Sequence, residues 1–463
     1  LPSGSTATLE DSSNSFVIKP FGFRVTASGG SGDMFSDGNP SGDFSSFINA
    51  GEDFNLSAQP IGWQLGEDSN NDGKIDVEAN AAGNPLVTSY SGSGISVGIR
   101  GVVPSSNVSG VLAPSNLTNN QVASGNVVNF NGINYSEVGI ANLQVTDVNY
   151  RDSGDIVGYL NNLGRFIPHH FTVDLNDKGN LSGQCGNFTY VGQLESSNPG
   201  ALGALKYDSK RPTLTISARN KNNIITKNYV GNYQRLAPAS FTYATPVTAN
   251  SLIVSGVLSI GDLAPTTTNG QLIYTASSND RFVYTRNTSA RVAPFMADFT
   301  LPFSRIRDAD NIDIDALASL SVVSSAVHKM YYGRVELTNT FGSDNEELGM
   351  PVAYQYWNGS KFVTHTENNG CTLYSMRSDL NLTPSELGNL KQSSLSNSQQ
   401  SIANGSAIFR LPETNDSGSV DVEYVVPAWL RYNWSNTGEV NPQATAVFGR
   451  YRGNDRIINW RER

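Results

Sequence analysis

Three short stretches share one phrase: Pro20-x-x-Phe23-x-Val25, Pro168-x-x-Phe171-x-Val173 and Pro238-x-x-Phe241-x-Tyr243. Proline has no amide hydrogen to give a sheet, so it belongs at a strand's opening or edge. The aromatic residue and the one two places beyond it then face the same side of the strand. The first two phrases are each followed by an alternating strand, Phe54-x-Leu56-x-Ala58 and Leu214-x-Ile216-x-Ala218. A Tyr-x-Gly corner comes next in both, Tyr90-Ser91-Gly92 and Tyr229-Val230-Gly231. The phrase reads as the opening of a β-sandwich module, and its return predicts modules in series. The predicted fold class is all-β: tandem immunoglobulin-like β-sandwich modules in an elongated array, with little helix.

Composition agrees with that reading. At 463 residues the chain is too long for one β-domain, and a prior of roughly 150 residues per domain gives about three. Hydrophobic residues make up 38% and charged residues 16%, so low hydrophobicity with high charge, the mark of disorder, is absent. The net charge of −10 provides no basic stripe to release counterions, which excludes nucleic acid as the main partner. No run of 18 or more apolar residues occurs, so no membrane-spanning helix is predicted. Leu1-Pro2-Ser3-Gly4 lacks the basic start and apolar stretch of a signal peptide. The chain reads as a processed protein or, in preference, a piece of a longer one.

Turn signals and apolar alternation divide the chain into five segments. Residues 1–15 are polar and read as a disordered lead-in. Residues 16–166 form a first sandwich carrying an insertion, 167–236 a second, 237–303 a third β module, and 304–463 a C-terminal β domain. Within the last, Asp308–Ala326 has a weak helical or loop-like pattern, and Thr383-Pro384-Ser385-Glu386 is a helix-start signal. The basic tail Arg450–Arg463 alternates with Phe448, Tyr451, Ile457 and Trp460 and reads as a closing strand.

The sharpest chemical signal is Asp68-Ser69-Asn70-Asn71-Asp72-Gly73-Lys74-Ile75-Asp76. Asp68, Asn70 and Asp72 present oxygens at positions 1, 3 and 5. Gly73 supplies the turn, Lys74 a backbone carbonyl, and Asp76 a ninth-position carboxylate, the pattern that wraps a loop round Ca2+. Position 12 is Ala79, with Glu78 one place early, so the bidentate closing ligand is in doubt. The competing reading is a solvated Asn/Asp/Gly turn. A second acidic run, Asp308-x-Asp310-x-x-Asp313-x-Asp315, lacks the turn glycine and reads as a solvated face. His169 and His170 would point to opposite faces of a strand and so would not share a metal. His328 and His365 have no partners in sequence. Cys185 and Cys371 lack metal-site spacing. In an oxidising compartment they could form one bridge, closing a very long loop at roughly 5 kcal/mol and tying the second module to the last. No nucleophile elbow, phosphate loop or zinc-protease helix occurs. Two aromatic groups could stack on sugar rings: Tyr354, Tyr356 and Trp357, and Trp429, Tyr432 and Trp434.

The C-terminal third also carries a family resemblance. Tyr332-Gly333-Arg334-Val335-Glu336-Leu337-Thr338-Asn339-Thr340-Phe341-Gly342-Ser343, Pro351–Gly359, Trp429-Leu430-Arg431-Tyr432 and Phe448–Glu462, with Gly164–Phe171 and Phe188–Gln193 upstream, resemble MshQ-like proteins. These belong to the locus of the mannose-sensitive haemagglutinin (MSHA) type IV pilus, and the likeness extends to their uncharacterised C-terminal domain family. The resemblance covers most of the chain from about residue 16. It implies a secreted protein on the pilus or outer surface of a Gram-negative bacterium, with pilus subunits or other surface proteins as partners and no catalytic residues to carry over. The function expected is non-enzymatic: a structural or adhesin component presenting β modules outside the cell. The alternative is a carbohydrate-binding adhesin that meets host or environmental glycans, and a polysaccharide-active enzyme ranks third.

Overall fold

The computed structural model describes residues 16–29, 45–92, 94–105, 108–114, 118–119, 126–195, 202–248, 254–315, 319–324, 328–434 and 436–449. The predicted lead-in 1–15 and basic tail 450–463 lie outside the described residues. The chain is all-β. Among the described residues the α-helix is a single four-residue turn, Met376–Asp379. Three large apolar cores follow one another along the chain, each enclosed by strands of immunoglobulin-like β-sandwich units.

The first unit is a nine-stranded sheet made of two antiparallel halves of four strands each, with Ile48–Asn49 added in parallel to Ile156–Ile167. One half runs in the order Leu112–Ala113, Val128–Tyr135, Asp53–Ile61, Gly22–Ser28, and the other Ile156–Ile167, Gly139–Asp147, Ile95–Val103, Thr118–Asn119. A short parallel pairing, Phe23 with Gly158 and Arg24 with Tyr159, joins them. The opening phrase works as its alternation requires: Val25 lies opposite Ala58 and Ala27 opposite Leu56, all buried. Phe166, on the last strand, meets the rings of Phe47, Phe54 and Tyr135 with centroids 4.9–5.7 Å apart.

The second and third phrases build a single unit. The division expected at residues 236 and 237 is corrected, as is the one at 303 and 304. A four-stranded sheet holds His170–Asp177, Thr213–Arg219, Gln271–Thr275 and Asp262–Pro265. Facing it, a seven-stranded sheet holds Phe241–Tyr243, Asp298–Ile306, Ser319–Ser324, Asn180–Ser182, Leu205–Tyr207, Arg281–Tyr284 and Val254–Val257. Phe171 and Ile216 share one core with Phe241, Tyr274 and Phe303. A lone sheet cannot bury its apolar face, so the third phrase supplies the second layer of the sandwich opened by the second. Of the helical or loop-like pattern expected over Asp308–Ala326, the described residues take the loop-like form at 308–315 and a strand at Ser319–Ser324.

The last unit packs the strands Gly333–Leu337, Leu348–Trp357, Phe362–Thr364 and Ser406–Leu411 against Thr340–Gly342, Gln443–Phe448, Gly418–Tyr424 and Leu380–Thr383. The expected helix at Thr383–Glu386 is instead a hairpin of Glu386–Leu387 with Leu390–Lys391. Leu382, Leu390 and Leu395 are buried there, and that anchorage overrides the local start signal.

The Tyr-x-Gly corners act as pins. In the first unit Tyr90 meets Phe23 edge-on at 5.5 Å and donates to buried Asp147 at 2.6 Å. In the second, Tyr229 meets Phe171 at 5.5 Å and donates to buried Asp308 at 3.3 Å. A Cβ on Gly92 would collide with the Tyr90 hydroxyl and the Asp147 carboxylate, so that glycine is required by the pin beside it. We expect Phe166→Ala to cost the first unit about 3–5 kcal/mol, the usual loss for a buried phenylalanine. Chemical denaturation should show its transition move while a Phe341→Ala control at an exposed site stays within about 0.5 kcal/mol.

Candidate functional site

The Asp68–Asp76 loop folds back on itself. Asp68 accepts from the amides of Asp72 (3.0 Å) and Gly73 (2.9 Å), Asn70 from Asp72 (3.0 Å), and Asp72 from Lys74 (2.8 Å). Asp76 accepts from the Ser69 amide at 2.8 Å, and hydrogen bonds from the Ser69 side chain and amide hold its carboxyl below the usual range. The loop is anchored by Ile75, buried with Phe21, Ile61 and Val157, and Lys74 reaches Asp155 at 3.6 Å. Among the described residues, no group of three or more His, Cys, Asp or Glu side chains is drawn together as a metal set.

The second acidic run is four separate structural contacts. Asp308 accepts from the amides of Asp310 and Ile312, both at 2.9 Å, and burial pushes its carboxyl up to about 6. Asp310 takes both arms of the Arg165 guanidinium, at 2.5 and 2.6 Å, with the two side chains 5% and 10% exposed. Asp313 pairs with Arg307 at 2.6 Å and Asp315 with His170 at 3.2 Å. The solvated face expected here is corrected for Asp308 and Asp310, drawn inward by Tyr229 and Arg165 from far away in sequence, while Asp313 and Asp315 stay exposed. The opposed histidines are corrected too. His169 precedes the strand, so the pleat does not govern it, and its Nδ1 meets that of His170 at 3.0 Å.

Arg165–Asp310 belongs to a joint between the first and second units. Glu137, buried in the first, accepts from the amides of Lys227 (3.2 Å) and Asn228 (3.1 Å) in the second. Burial raises its carboxyl, against the pull of these amides. Asn220 donates to the Ser136 carbonyl at 3.0 Å, and the Lys221 amide to that of Ala50 at 2.9 Å. Val138 and Ile140 cross into the core of the second unit.

A second joint ties the middle and last units. Cys185 and Cys371 form a disulfide with Cα atoms 5.0 Å apart, 186 residues apart in sequence. The strand Phe188–Tyr190 pairs in parallel with Lys329–Tyr331, and its two aromatic rings lie in the core of the last unit. Tyr190 Oη lies 2.9 Å from His365 Nδ1 and accepts from Asn368 at 3.1 Å. A Cβ on Gly333 would meet the Tyr190 ring at 2.5 Å, so close approach requires glycine there. His365 sits among Phe188, Tyr331 and Tyr356, and burial lowers it to about 4. Beside it, Arg286 covers the Tyr332 ring at 3.8 Å, donates to Glu439 at 3.0 Å and to the Arg431 carbonyl at 2.8 Å.

The aromatic groups named from the sequence divide. Tyr354 is buried, its hydroxyl 2.6 Å from that of Tyr424; it is core. Trp429 packs at the joint, its Cβ beside Gly192. Tyr432 and Trp434 reach the surface beside two clefts, of about 580 and 480 Å3. Arg334 lies over Phe362 at 3.9 Å and over Trp434 at 4.5 Å. Neither this arginine–aromatic stack nor the joints could be read from sequence, because their partners lie 28–186 residues apart. The one available signal was arginine in strands that otherwise alternate cleanly.

Three comparisons give the chain its relatives. Residues 19–129, 137–329 and 331–463 match DUF6701, second domain, third domain and fourth domain respectively. The chain belongs to the DUF6701 family and carries these three domains in order. The third-domain match begins inside the first structural unit, whose strands Gly139–Asp147 and Ile156–Ile167 lie beyond that boundary. None of the curated proteins matches the chain in sequence. Among solved structures it is similar to surface layer protein SbsC, domains 4–9, at 10% identity and TM-score 0.23, covering 87% of this chain and 48% of that one. It is similar to invasin, a bacterial integrin-binding protein, at 8% identity and TM-score 0.22, covering 92% and 60%. It is similar to the D0–D1 domain of intimin at 13% identity and TM-score 0.15, covering 60% and 99%. The chain thus spans about half to three fifths of the first two.

Two tests follow from the joints. Arg165→Ala strands a buried carboxylate and should destabilise by about 3–5 kcal/mol. Arg165→Met with Asp310→Leu removes both charges and should recover most of that loss in a double-mutant cycle by denaturation. For His365, the folded value lies below the unfolded 6.5, so its stabilising contribution is present above pH 6.5 and is lost as pH falls towards about 4. The full loss is on the order of 3 kcal/mol. His365→Phe should flatten that part of the stability–pH curve, read by thermal melting between pH 7 and 4.

Proposed function

We propose that this chain is a non-enzymatic structural segment of a bacterial surface protein, holding three β units in fixed succession outside the cell. The observation that carries the reading is the pair of joints. Each one joins adjacent units through buried, directional contacts in place of a flexible linker, whereas units joined by loose linkers move relative to one another by default. The disulfide supports an oxidising compartment, since such bonds persist outside the cytosol. The resemblance to MshQ-like proteins supports the finer reading of attachment to a type IV pilus of the MSHA kind, with pilus subunits or other surface proteins as partners.

Calcium fits as a stiffening ion in the Asp68–Asp76 loop. Each carboxylate oxygen that accepts one amide keeps a second lone pair, and Asp68, Asn70, Asp72, Asp76 and the Lys74 carbonyl make an all-oxygen donor set suited to a hard cation. The chain's own part is to close that loop on Ile75.

Spin labels at exposed Asn131→Cys and Lys361→Cys should give one narrow distance distribution, and a broad one would remove the fixed-array reading. On intact cells of the source bacterium, external protease should cleave the protein; protection until lysis would remove the surface assignment. Adding calcium at about a hundred times its dissociation constant should stabilise the first unit by about 2.7 kcal/mol, reversed by chelator and absent in Asp68→Ala. A melting midpoint unchanged by chelator would remove the ion.

A further inference from the structure

We infer that the last unit carries a saccharide-binding cleft built on Trp434. The inference rests on the surface-presentation reading for its biological setting, but its test uses the purified protein and does not depend on where the protein resides. The cleft has a volume of about 580 Å3, within the range of ligand pockets. Its lining sets the Trp434 indole beside Glu336, Asn339, Asn441 and Gln443. That is one flat apolar plate with amide and carboxylate groups around it. A sugar ring has the matching chemistry, an apolar C–H face and a rim of hydroxyls that both donate and accept hydrogen bonds.

The plate is held in place before any ligand arrives. Trp434 is 40% exposed, an unusual setting for so large an apolar ring. The Arg334 guanidinium stacks at 4.5 Å from its centre and Tyr432 meets it edge-on at 5.2 Å. Arg334 is itself fixed, donating to Gln355 at 2.8 Å, while Gln355 donates to Glu336 at 2.5 Å. Glu336 is thereby oriented at the cleft wall. A side chain already ordered in the free protein has little rotamer freedom left to lose on binding. Asn441 is held likewise, accepting from the Val426 amide and donating to Glu423, both at 3.2 Å.

The lining also separates binding from hydrolysis. Glycoside cleavage uses two carboxyl groups facing one bond. Among the described lining residues Glu336 is the one carboxylate, and its neighbour is an arginine 3.9 Å away. The geometry is that of a lectin subsite.

The test is a glycan array of defined neutral and acidic oligosaccharides, followed by calorimetry with the best hexose-containing oligosaccharide on it. We expect millimolar to micromolar binding to the whole chain, and about tenfold or greater loss in Trp434→Ala, the scale of an aromatic anchor. Trp434→Phe should keep most of the affinity, and Trp63→Ala, at an exposed tryptophan of the first unit, should keep all of it. Equal melting midpoints for wild type and Trp434→Phe give the comparison a folded reference should Trp434→Ala unfold. Gln443→Ala, at an exposed rim position, should weaken binding without moving the midpoint. Absence of binding by wild type on the array at millimolar glycan overturns the inference, as does binding that Trp434→Ala and Gln443→Ala leave intact.

Discussion

The turn from Asp308 to Ile312 is the contact on which the arrangement of the first two units depends. Asp308 gathers the amides of Asp310 and Ile312 and the hydroxyl of Tyr229, the pin that holds Phe171 at the opening of its sheet. Two residues on, Asp310 projects to Arg165 in the neighbouring unit. One short turn thus fixes a corner of one core and the face by which that core is docked. A carboxylate that accepts two or three bonds is rigid in a way that an apolar contact is not, because hydrogen bonds have direction and dispersion contacts have almost none.

The two joints solve the same problem with different materials. The first uses a buried ion pair, a buried glutamate on backbone amides, and two apolar residues lent to the next core. The second uses a covalent bond, a strand whose rings enter the next core, and an arginine held between a tyrosine face and a carboxylate. Buried ion pairs are poor stabilisers compared with apolar side chains of equal volume. What they add is a unique orientation of one unit against the next.

Acid acts on these elements in opposite senses. Asp280 and Asp308 are both raised to about 6 by burial, so their stabilising effect is complete only below the unfolded carboxyl range and is lost as pH rises through about 6. His365 runs the other way, because its buried neutral ring must be charged in acid. Mild acid therefore firms the middle unit while loosening the joint beyond it. The contrast comes chiefly from burial, which penalises the charged form of acid and base alike, with the Asp310 carboxylate adding to it at Asp308.

Local chemistry is legible in the sequence when cause and effect are neighbours. The Pro-x-x-Phe phrase announced strands at Phe23, Phe171 and Phe241 because alternation is a property of a few adjacent residues, and the Asp68–Asp76 turn was readable for the same reason. The number of units was not, since nothing near Pro238 says that its strand faces the sheet begun at His170 instead of opening a new sandwich. The helix signal at Thr383 yielded to leucines anchored in a distant core. Asp308 and Asp310 looked solvated because Tyr229 and Arg165 become their neighbours only after folding. Periodicity and turn residues decided strands and their buried faces. Pairing between sheets, the two joints and the arginine-backed Trp434 cleft were decided by tertiary structure, because contacts between residues tens to hundreds of positions apart leave no local trace in the order of the amino acids.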